Sequence, residues 1–234
     1  MQMKTATIIG SSGMTGTYLF KFLLEDKNFE TIRIIVRHNT PKTATNMEVI
    51  LVDFTDTAAF KNAIAGSDVV FCTIGTTQKN VKGNKELYKQ IDVDIPVHAA
   101  RYCKETGCEK FIIISAAGAN SKSGNFYLRL KGEMENAVKS SGINSIYIMQ
   151  PSILLGHRKE KRMGESFAQR AVQLLSFLLM GNLQKYKAIH GKVLARAMVN
   201  AAKNNIEGIF TYQYQDIVKL AEPILPAGFN HQYH

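Results

Sequence analysis

A glycine-rich turn between an apolar run and a helical pattern constrains this chain more than any other feature. The segment from Thr7 to Gly16 carries Gly10, Gly13 and Gly16 at three-residue spacing, and apolar side chains then recur at helical spacing up to Leu24. Glycine lets the backbone approach a ligand, and the first turn of a helix offers free N–H groups and a positive dipole end. The pattern predicts a strand, a turn and a helix that bind a diphosphate, with a purely structural glycine turn as the alternative.

The bulk composition is that of an ordinary globular domain. The chain has 234 residues, of which 45% are hydrophobic and 21% charged, enough for one domain with a full core. We expect a single domain, 1–234, with a cofactor-binding core at 1–151 and a smaller substrate or lid portion at 152–234. The first strand follows Met1 at once and no apolar run is long enough to span a bilayer, so neither a signal peptide nor a membrane span is expected.

The three cysteines and the net charge bear on compartment and partners. Cys72, Cys103 and Cys108 form no disulfide or zinc pattern, which indicates reduced thiols in a cytoplasmic protein. The net charge is +10, and ten Lys or Arg lie between His157 and Lys203. We interpret this segment as a solvated basic face near an anionic cofactor or substrate, with nucleic acid or an anionic membrane surface as alternatives. No nucleic-acid-binding motif accompanies the charge, so no specific nucleic acid is expected as a partner.

Apolar runs and helical patterns alternate over the first two thirds of the chain. After the first strand, the predicted strands are Thr31 to Arg37, Glu48 to Val52, Asp68 to Ile74, Glu109 to Ser115 and Ser145 to Gln150. The predicted helices are Asp56 to Ile64, Asn84 to Thr106 with a bend near Pro96, and Ser123 to Lys139. This alternation predicts an α/β fold with a doubly wound parallel sheet of the Rossmann type.

The regular alternation stops after Pro151, and a small, mostly helical C-terminal substrate region is expected. The predicted elements are a basic loop from Ser152 to Gly164, helices at Glu165 to Met180, Gly191 to Lys203 and Gln213 to Ala221, a short strand at Gly208 to Thr211, and a tail from Pro223 that wraps over the surface. The helix from Glu165 is interpreted as a lid over a substrate cleft, with a membrane-surface helix as the alternative.

The ends of the predicted strands indicate which dinucleotide binds. NAD-specific folds place an acid after the second strand, whereas this strand ends in Arg37, which can pair with a 2′-phosphate. NADP(H) is therefore expected in preference to NAD(H), unless Arg37 is only a surface cation. Asp53 and Phe54, after the third strand, are placed to meet the adenine. The other residues expected to bind cofactor are Gly10, Ser12, Gly13, Met14, Thr15, Gly16, Thr73, Gly75, Thr76, Tyr127, Lys131 and Pro151.

Three residues form a candidate catalytic set. Tyr127 and Lys131 are four apart on a predicted helix and share one face, and Ser115 ends the preceding strand. Such a tyrosine can exchange the substrate proton, the lysine can stabilise its phenolate, and the serine hydroxyl can hold a carbonyl oxygen. An ordinary surface pair of Tyr127 and Lys131 is the alternative. No histidine pair has metal-ligand spacing, so no metal is expected, and His190 is kept as a substrate-side candidate.

Five segments together resemble the atypical short-chain dehydrogenases/reductases, and within them the branch typified by the HIV Tat-interacting oxidoreductase and its bacterial homologues. They are Gly10 to Gly16, Gly75 to Thr77, Ser115 to Asn120, Asn125 to Glu133 and Gln150 to Leu155. The resemblance spans nearly the whole chain, and the block from Asn125 to Glu133 is its most specific part.

The resemblance implies a Rossmann fold, NADP(H) binding and a Ser-Tyr-Lys set carried by Ser115, Tyr127 and Lys131. Two departures concern the substrate pocket: Ala116 and Ala117 replace a more polar pair, and Gln150 stands where an arginine is common. The family also includes proteins that bind a partner while sensing NADPH. Two functions therefore stay open: hydride transfer to a small carbonyl or alcohol substrate, and a non-catalytic NADPH sensor that regulates a protein partner. A monomer and a homodimer are both compatible with the sequence.

Overall fold

The central layer of the protein is a seven-stranded, entirely parallel sheet in the order β3-β2-β1-β4-β5-β6-β9. The computed structural model describes residues 4–156 and 187–223. The strands in these ranges are β1 (Lys4–Ile9), β2 (Phe29–Val36), β3 (Met47–Leu51), β4 (Val69–Cys72), β5 (Lys110–Ile114), β6 (Ser145–Met149), β7 (Leu154–Leu155), β8 (Ile189–His190) and β9 (Gly208–Tyr212).

Helices cover both faces of this sheet. The helices in the described ranges are α1 (Met14–Glu25), α2 (Thr57–Ile64), α3 (Lys85–Lys89), a π-helical segment (Gln90–Asp94), α4 (Ile95–Glu105), α5 (Phe126–Lys139), α6 (Gly191–Lys203) and α7 (Tyr214–Leu220). One core packs α2, α4 and α5 against one face, and a second packs α1, α6 and α7 against the other. Because both faces are covered, strands β4 and β6 are buried at every position.

The predicted doubly wound α/β fold is confirmed, and the region after Pro151 differs from the expectation in detail. Helix α6 has the predicted bounds, but β9 pairs with β6 as a seventh parallel strand, so the alternation resumes. Strands β7 and β8 form a separate two-stranded ribbon that the sequence analysis did not predict. The predicted helix Glu165 to Met180, most of the basic segment and the tail beyond Pro223 lie outside the described residues.

The helix predicted from Asn84 to Thr106, with a bend near Pro96, consists of α3, the π-helical segment and α4, and the π-helical segment lies just before Pro96. Proline has no N–H, so the carbonyl of Asp92, four residues earlier, has no helical donor. The chain accommodates this with the π-helical segment, in which the N–H of Ile95 bonds the carbonyl of Gln90. Pi-helical turns of this kind are frequent at functional sites.

A close contact holds the loop between β5 and α5 against α5 itself. A Cβ atom on Gly132 would lie 2.1 Å from the backbone nitrogen of Ser121, so no larger residue fits there. The N–H of Asn120 also bonds the carbonyl of Leu128 on α5. The glycine that follows Lys131 is therefore needed for packing.

Within the described residues, none of the helices has the length and apolarity to cross a bilayer.

We predict that Gly132→Ala destabilises the protein by at least about 2 kcal/mol, because the added methyl overpacks a backbone contact. In an open helical position the same change would stabilise by about 1 kcal/mol. Urea denaturation measures the effect, and Gly124→Ala is the matched control, since nothing lies within 4 Å of a Cβ there. Equal midpoints for the two variants would contradict the packing role.

Candidate functional site

The turn between β1 and α1 is shaped by two glycines that allow close backbone approach. Gly10 has a φ of +92°, and a Cβ atom there would lie 2.8 Å from the backbone nitrogen of Ile74. A Cβ atom on Gly16 would lie 2.2 Å from the Gly10 carbonyl oxygen. The hydroxyl of Thr73 donates to that same carbonyl at 2.9 Å. Through these contacts, the β1–α1 turn packs directly against the end of β4 and against the N-terminal residues of α1.

Gly13 differs from the other two glycines because the space beside it is open. A Cβ atom there would meet only the Gly10 carbonyl oxygen, at 3.4 Å. Gly13 is the N-cap of α1, and no side chain caps this helix end. The N–H groups of Met14, Thr15 and Gly16 in the first turn therefore have no intrahelical acceptors. An exposed glycine in front of free N–H groups fits a diphosphate, so the residues present can hold a dinucleotide.

The side chains of the turn lie in different environments. Ser12 is exposed, whereas Thr15 is 4% exposed. The Met14 side chain packs beneath the β7–β8 ribbon, where a Cβ on Gly156 would lie 2.6 Å from its sulfur. His190, the substrate-side candidate, caps α6 by accepting the Lys192 N–H at 3.1 Å. The ribbon and α6 thus border the predicted diphosphate site.

A cavity of about 410 Å³ lies where the adenine end of a dinucleotide is expected. Arg37, at the end of β2, lines it together with Asp53 and Phe54, and Leu87 and Ile91 contribute an apolar wall. The guanidinium is exposed, and the Phe54 ring is held edge-on against a core phenylalanine at 4.8 Å. The predicted adenine residues therefore meet in one cavity, with no acid at the end of β2.

Asp53 carries its charge at the mouth of this cavity. Its carboxylate accepts hydrogen bonds from the backbone N–H of Thr55 at 2.9 Å and from the Thr55 hydroxyl at 2.8 Å. These bonds favour the ionised form and hold the pKa of Asp53 below its ordinary value. The cavity thus has a fixed anion in Asp53 and a cation in Arg37.

Tyr127 and Lys131 are brought together on α5, as their spacing predicts. Tyr127 is 38% exposed, and the Lys131 ammonium lies 6.0 Å from the centre of its ring. Lys131 is buried and pairs with Asp92 of the π-helical segment, Nζ to Oδ1, at 3.0 Å. The other Asp92 oxygen accepts the N–H of Thr76 at 2.8 Å. An exposed phenol therefore stands beside a buried ammonium whose position a carboxylate fixes.

The charge on Lys131 reflects two opposing effects. Burial favours the neutral amine and so lowers the pKa of Lys131, but attraction by Asp92, with a smaller contribution from Tyr127, more than offsets this. The pKa of Lys131 lies above its ordinary value, and the ammonium stays charged at neutral pH. Tyr127 therefore has a charged ammonium 6.0 Å from the centre of its ring.

Ser115, the third predicted catalytic residue, has a different partner. Its buried hydroxyl donates to Oε1 of Glu135 at 2.5 Å. Glu135 lies eight residues after Tyr127 on α5, about 12 Å along the helix. The same oxygen accepts from Nε2 of Gln150 at 2.8 Å, and Lys139 pairs with the other oxygen at 3.3 Å. The described bonds thus engage Ser115 with Glu135 rather than with Tyr127.

The remaining predicted cofactor residues lie at the carboxyl edge of the sheet. Gly75 leaves room above Asp92, since a Cβ atom there would come no closer than 3.7 Å to Oδ1. Thr76 contributes its N–H to Asp92, and the Pro151 carbonyl accepts the Ala117 N–H at 2.9 Å. Gly75 is the one of these whose surroundings admit a ligand directly.

Asp92 and Glu135 are the site residues that sequence reasoning missed. One sequence clue to Asp92 is that it lies four residues before Pro96, where a helix must deform. Glu135 has a clue in its spacing from Lys131, one turn further along the same face of α5. Neither position alone distinguishes a buried carboxylate from a solvated one.

The fold and the glycine turn define a class of dinucleotide-binding protein with a parallel, doubly wound sheet. Residues 10–172, more than half of the chain, match the model of the NAD(P)H-binding family. The chain belongs to this family.

Two relatives cover most of the chain. Protein HTATIP2 of Rattus norvegicus is 32% identical over 173 residues, which are 73% of this chain and 71% of the rat protein. The mitochondrial protein FMP52 of Debaryomyces hansenii is 32% identical over 204 residues, 85% of this chain and 87% of the yeast protein. The resemblance to the HIV Tat-interacting branch is therefore confirmed.

Solved structures show the same fold at low sequence identity. Bordetella bronchiseptica WbmH, in complex with NAD+, has a TM-score of 0.69 and 18% identity, over 91% of this chain and 76% of that enzyme. A UDP-N-acetylglucosamine 4-epimerase from Methanobrevibacter ruminantium has a TM-score of 0.68 and 18% identity, over 91% and 77%. These structures support the Rossmann-like fold.

We predict that Gly13→Val weakens NADPH binding by at least about tenfold while the melting temperature changes by no more than about 3 °C. Gly13 has a φ of −72°, which valine adopts, and its side chain would occupy the space over the helix end. Calorimetric titration and thermal melting measure the two effects. Tight NADPH binding by a normally folded Gly13→Val variant would place the diphosphate elsewhere.

Proposed function

We propose that this protein is an NADP(H)-dependent reductase that transfers hydride between NADPH and a small carbonyl or alcohol substrate. The observation that supports this most directly is the exposed Tyr127 phenol beside the buried, charged Lys131. Both lie at the carboxyl edge of the sheet, where open α/β folds bind their ligands. The proposed substrate is a small molecule. The cytoplasmic location stays a prediction, and both a monomer and a homodimer stay compatible with the sequence.

In carbonyl reduction, Tyr127, Lys131 and Ser115 would have separate roles. NADPH, when bound, would supply the hydride. Tyr127 donates its hydroxyl proton to the substrate oxygen as the carbonyl becomes an alcohol, and Lys131 stabilises the resulting phenolate. Ser115 can hold the substrate oxygen only if its hydroxyl leaves Glu135, because a hydroxyl has a single proton to donate.

The preference for NADP(H) rests on Arg37. Its exposed guanidinium lines the cavity at the adenine end, and no carboxylate follows β2 to bond a ribose 2′-hydroxyl. A guanidinium pairs well with a 2′-phosphate and stacks on an adenine face.

We predict that Arg37→Ala weakens NADPH binding by at least about tenfold, or about 1.4 kcal/mol, and changes NADH binding little. The loss is selective because only NADPH carries the 2′-phosphate. Fluorescence titration with both cofactors measures it, and Lys27→Ala, at an exposed position between α1 and β2, is the control. Equal wild-type affinities for NADH and NADPH would refute the preference.

A second function has its own supporting observation. The Ser115 hydroxyl is already committed to buried Glu135, and Ala116 and Ala117 offer no hydroxyl in its place. A site that binds NADPH but holds no substrate oxygen suits a sensor that regulates a protein partner. This sensor needs the glycine turn and Arg37, but not the Tyr127 hydroxyl.

Tyr127→Phe distinguishes the two functions. We predict at least about a hundredfold loss of NADPH oxidation with a panel of aldehydes, ketones and quinones, because the variant has no proton to donate. NADPH affinity stays within about threefold, since the ring and Lys131 remain. Tyr102→Phe, in the core, is the control for loss of a phenolic hydroxyl. Full activity in Tyr127→Phe, or no turnover by the wild type on the whole panel, would favour the sensor.

A further inference from the structure

A buried carboxylate outside the Ser-Tyr-Lys set, that of Asp92, forms an ion pair with Lys131. Asp92 is 1% exposed, and its two oxygens have separate partners. Oδ1 pairs with the Lys131 ammonium at 3.0 Å, and Oδ2 accepts the Thr76 N–H at 2.8 Å. Asp92 thereby joins the π-helical segment to α5 and to the turn after β4.

The inward position of Asp92 follows from the backbone. Pro96 cannot donate to the Asp92 carbonyl, and the resulting π-helical segment changes which residues of this helix face α5. Asp94, two residues further on, lies at the surface and pairs with the half-exposed Lys89 at 2.9 Å. One acid of the segment is thus directed to the site and the other to solvent.

Among the described residues that face Lys131, Asp92 is the single anionic partner. Tyr127 lies on the same helix, and Cys72 of β4 approaches from the sheet. Burial raises the pKa of Cys72 to about 12, so this thiol is neutral at ordinary pH. Without Asp92, a buried ammonium would have no anion to offset its desolvation.

We propose that Asp92 is a positioning residue for the proposed reaction: it holds the Lys131 ammonium charged and in place beside Tyr127. This inference rests on the proposed function for its effect on rate. Its effect on Lys131 itself can be measured without turnover.

The test is Asp92→Asn in the full-length protein, with lysine labelled with carbon-13 at Cε and followed by NMR. We expect the acid dissociation constant of Lys131 to rise at least about tenfold, because burial then acts unopposed. Its signal is identified by its absence in Lys131→Met. Asp94→Asn is the matched control, and it leaves the Lys131 titration in place. An unmoved Lys131 titration in Asp92→Asn would overturn the proposal.

The pH dependence of NADPH oxidation separates positioning from a structural defect. As pH rises from about 8 to about 10, the rate of Asp92→Asn relative to wild type should fall progressively, since Lys131 loses its proton over this range in the variant but not in the wild type. A loss by the same factor at every pH overturns the positioning role. If the Lys131 titration shifts but the wild type turns over no substrate, the proposed reductase function is wrong. The effect of Asp92 on the charge of Lys131 is then still supported.

Folding of the variant is checked with the double substitution Asp92→Asn with Lys131→Met. Removing both charges eliminates the unpaired buried ammonium, so the double variant should melt at a higher temperature than Asp92→Asn alone. Melting temperatures that simply add across the two single variants would contradict a direct interaction between the two side chains.

Discussion

The close approach of the β1–α1 turn to the end of β4 is the constraint on which the rest of the structure depends. Gly10 and Gly16 admit no Cβ, and the Thr73 hydroxyl bonds the Gly10 carbonyl that both approach. This contact directs the N-terminus of α1 along the carboxyl edge of the sheet and leaves Gly13 open in front of it. Every other candidate site residue follows a neighbouring strand or lies on a helix packed at this edge, so the turn sets the location of the whole site.

Buried charge is the second organising feature of the site. Lys131 and Asp92 form an ion pair that is almost fully shielded from solvent, and Glu135 collects bonds from Ser115, Gln150 and Lys139. Breaking one partner of such a pair costs about 3–5 kcal/mol, whereas an apolar replacement of both is often tolerated. The ion pair is therefore weak evidence for stability by itself, which agrees with the positioning role that we propose for Asp92.

The described C-terminal residues, 187–223, pack onto the same sheet as the residues before Pro151. Strand β9 extends the sheet beside β6, and α6 packs with α1 in the core on the opposite face from α5. The β7–β8 ribbon rests on the Met14 side chain. Elements on either side of residues 157–186 thus border the predicted diphosphate site.

The sequence by itself determined the dinucleotide turn, the parallel doubly wound sheet and the Tyr127–Lys131 pair. These depend on local patterns: glycine spacing, the alternation of apolar runs with helices, and two residues one helical turn apart. Only the tertiary structure decided that Asp92 faces Lys131, that Ser115 bonds Glu135, and that β9 joins the sheet. Ser115 and Glu135 are 20 positions apart. Asp92 and Lys131 lie on separate helical segments, and β9 pairs with a strand from a distant part of the chain. Whether a carboxylate is buried and paired depends on what packs against it, which no local pattern specifies.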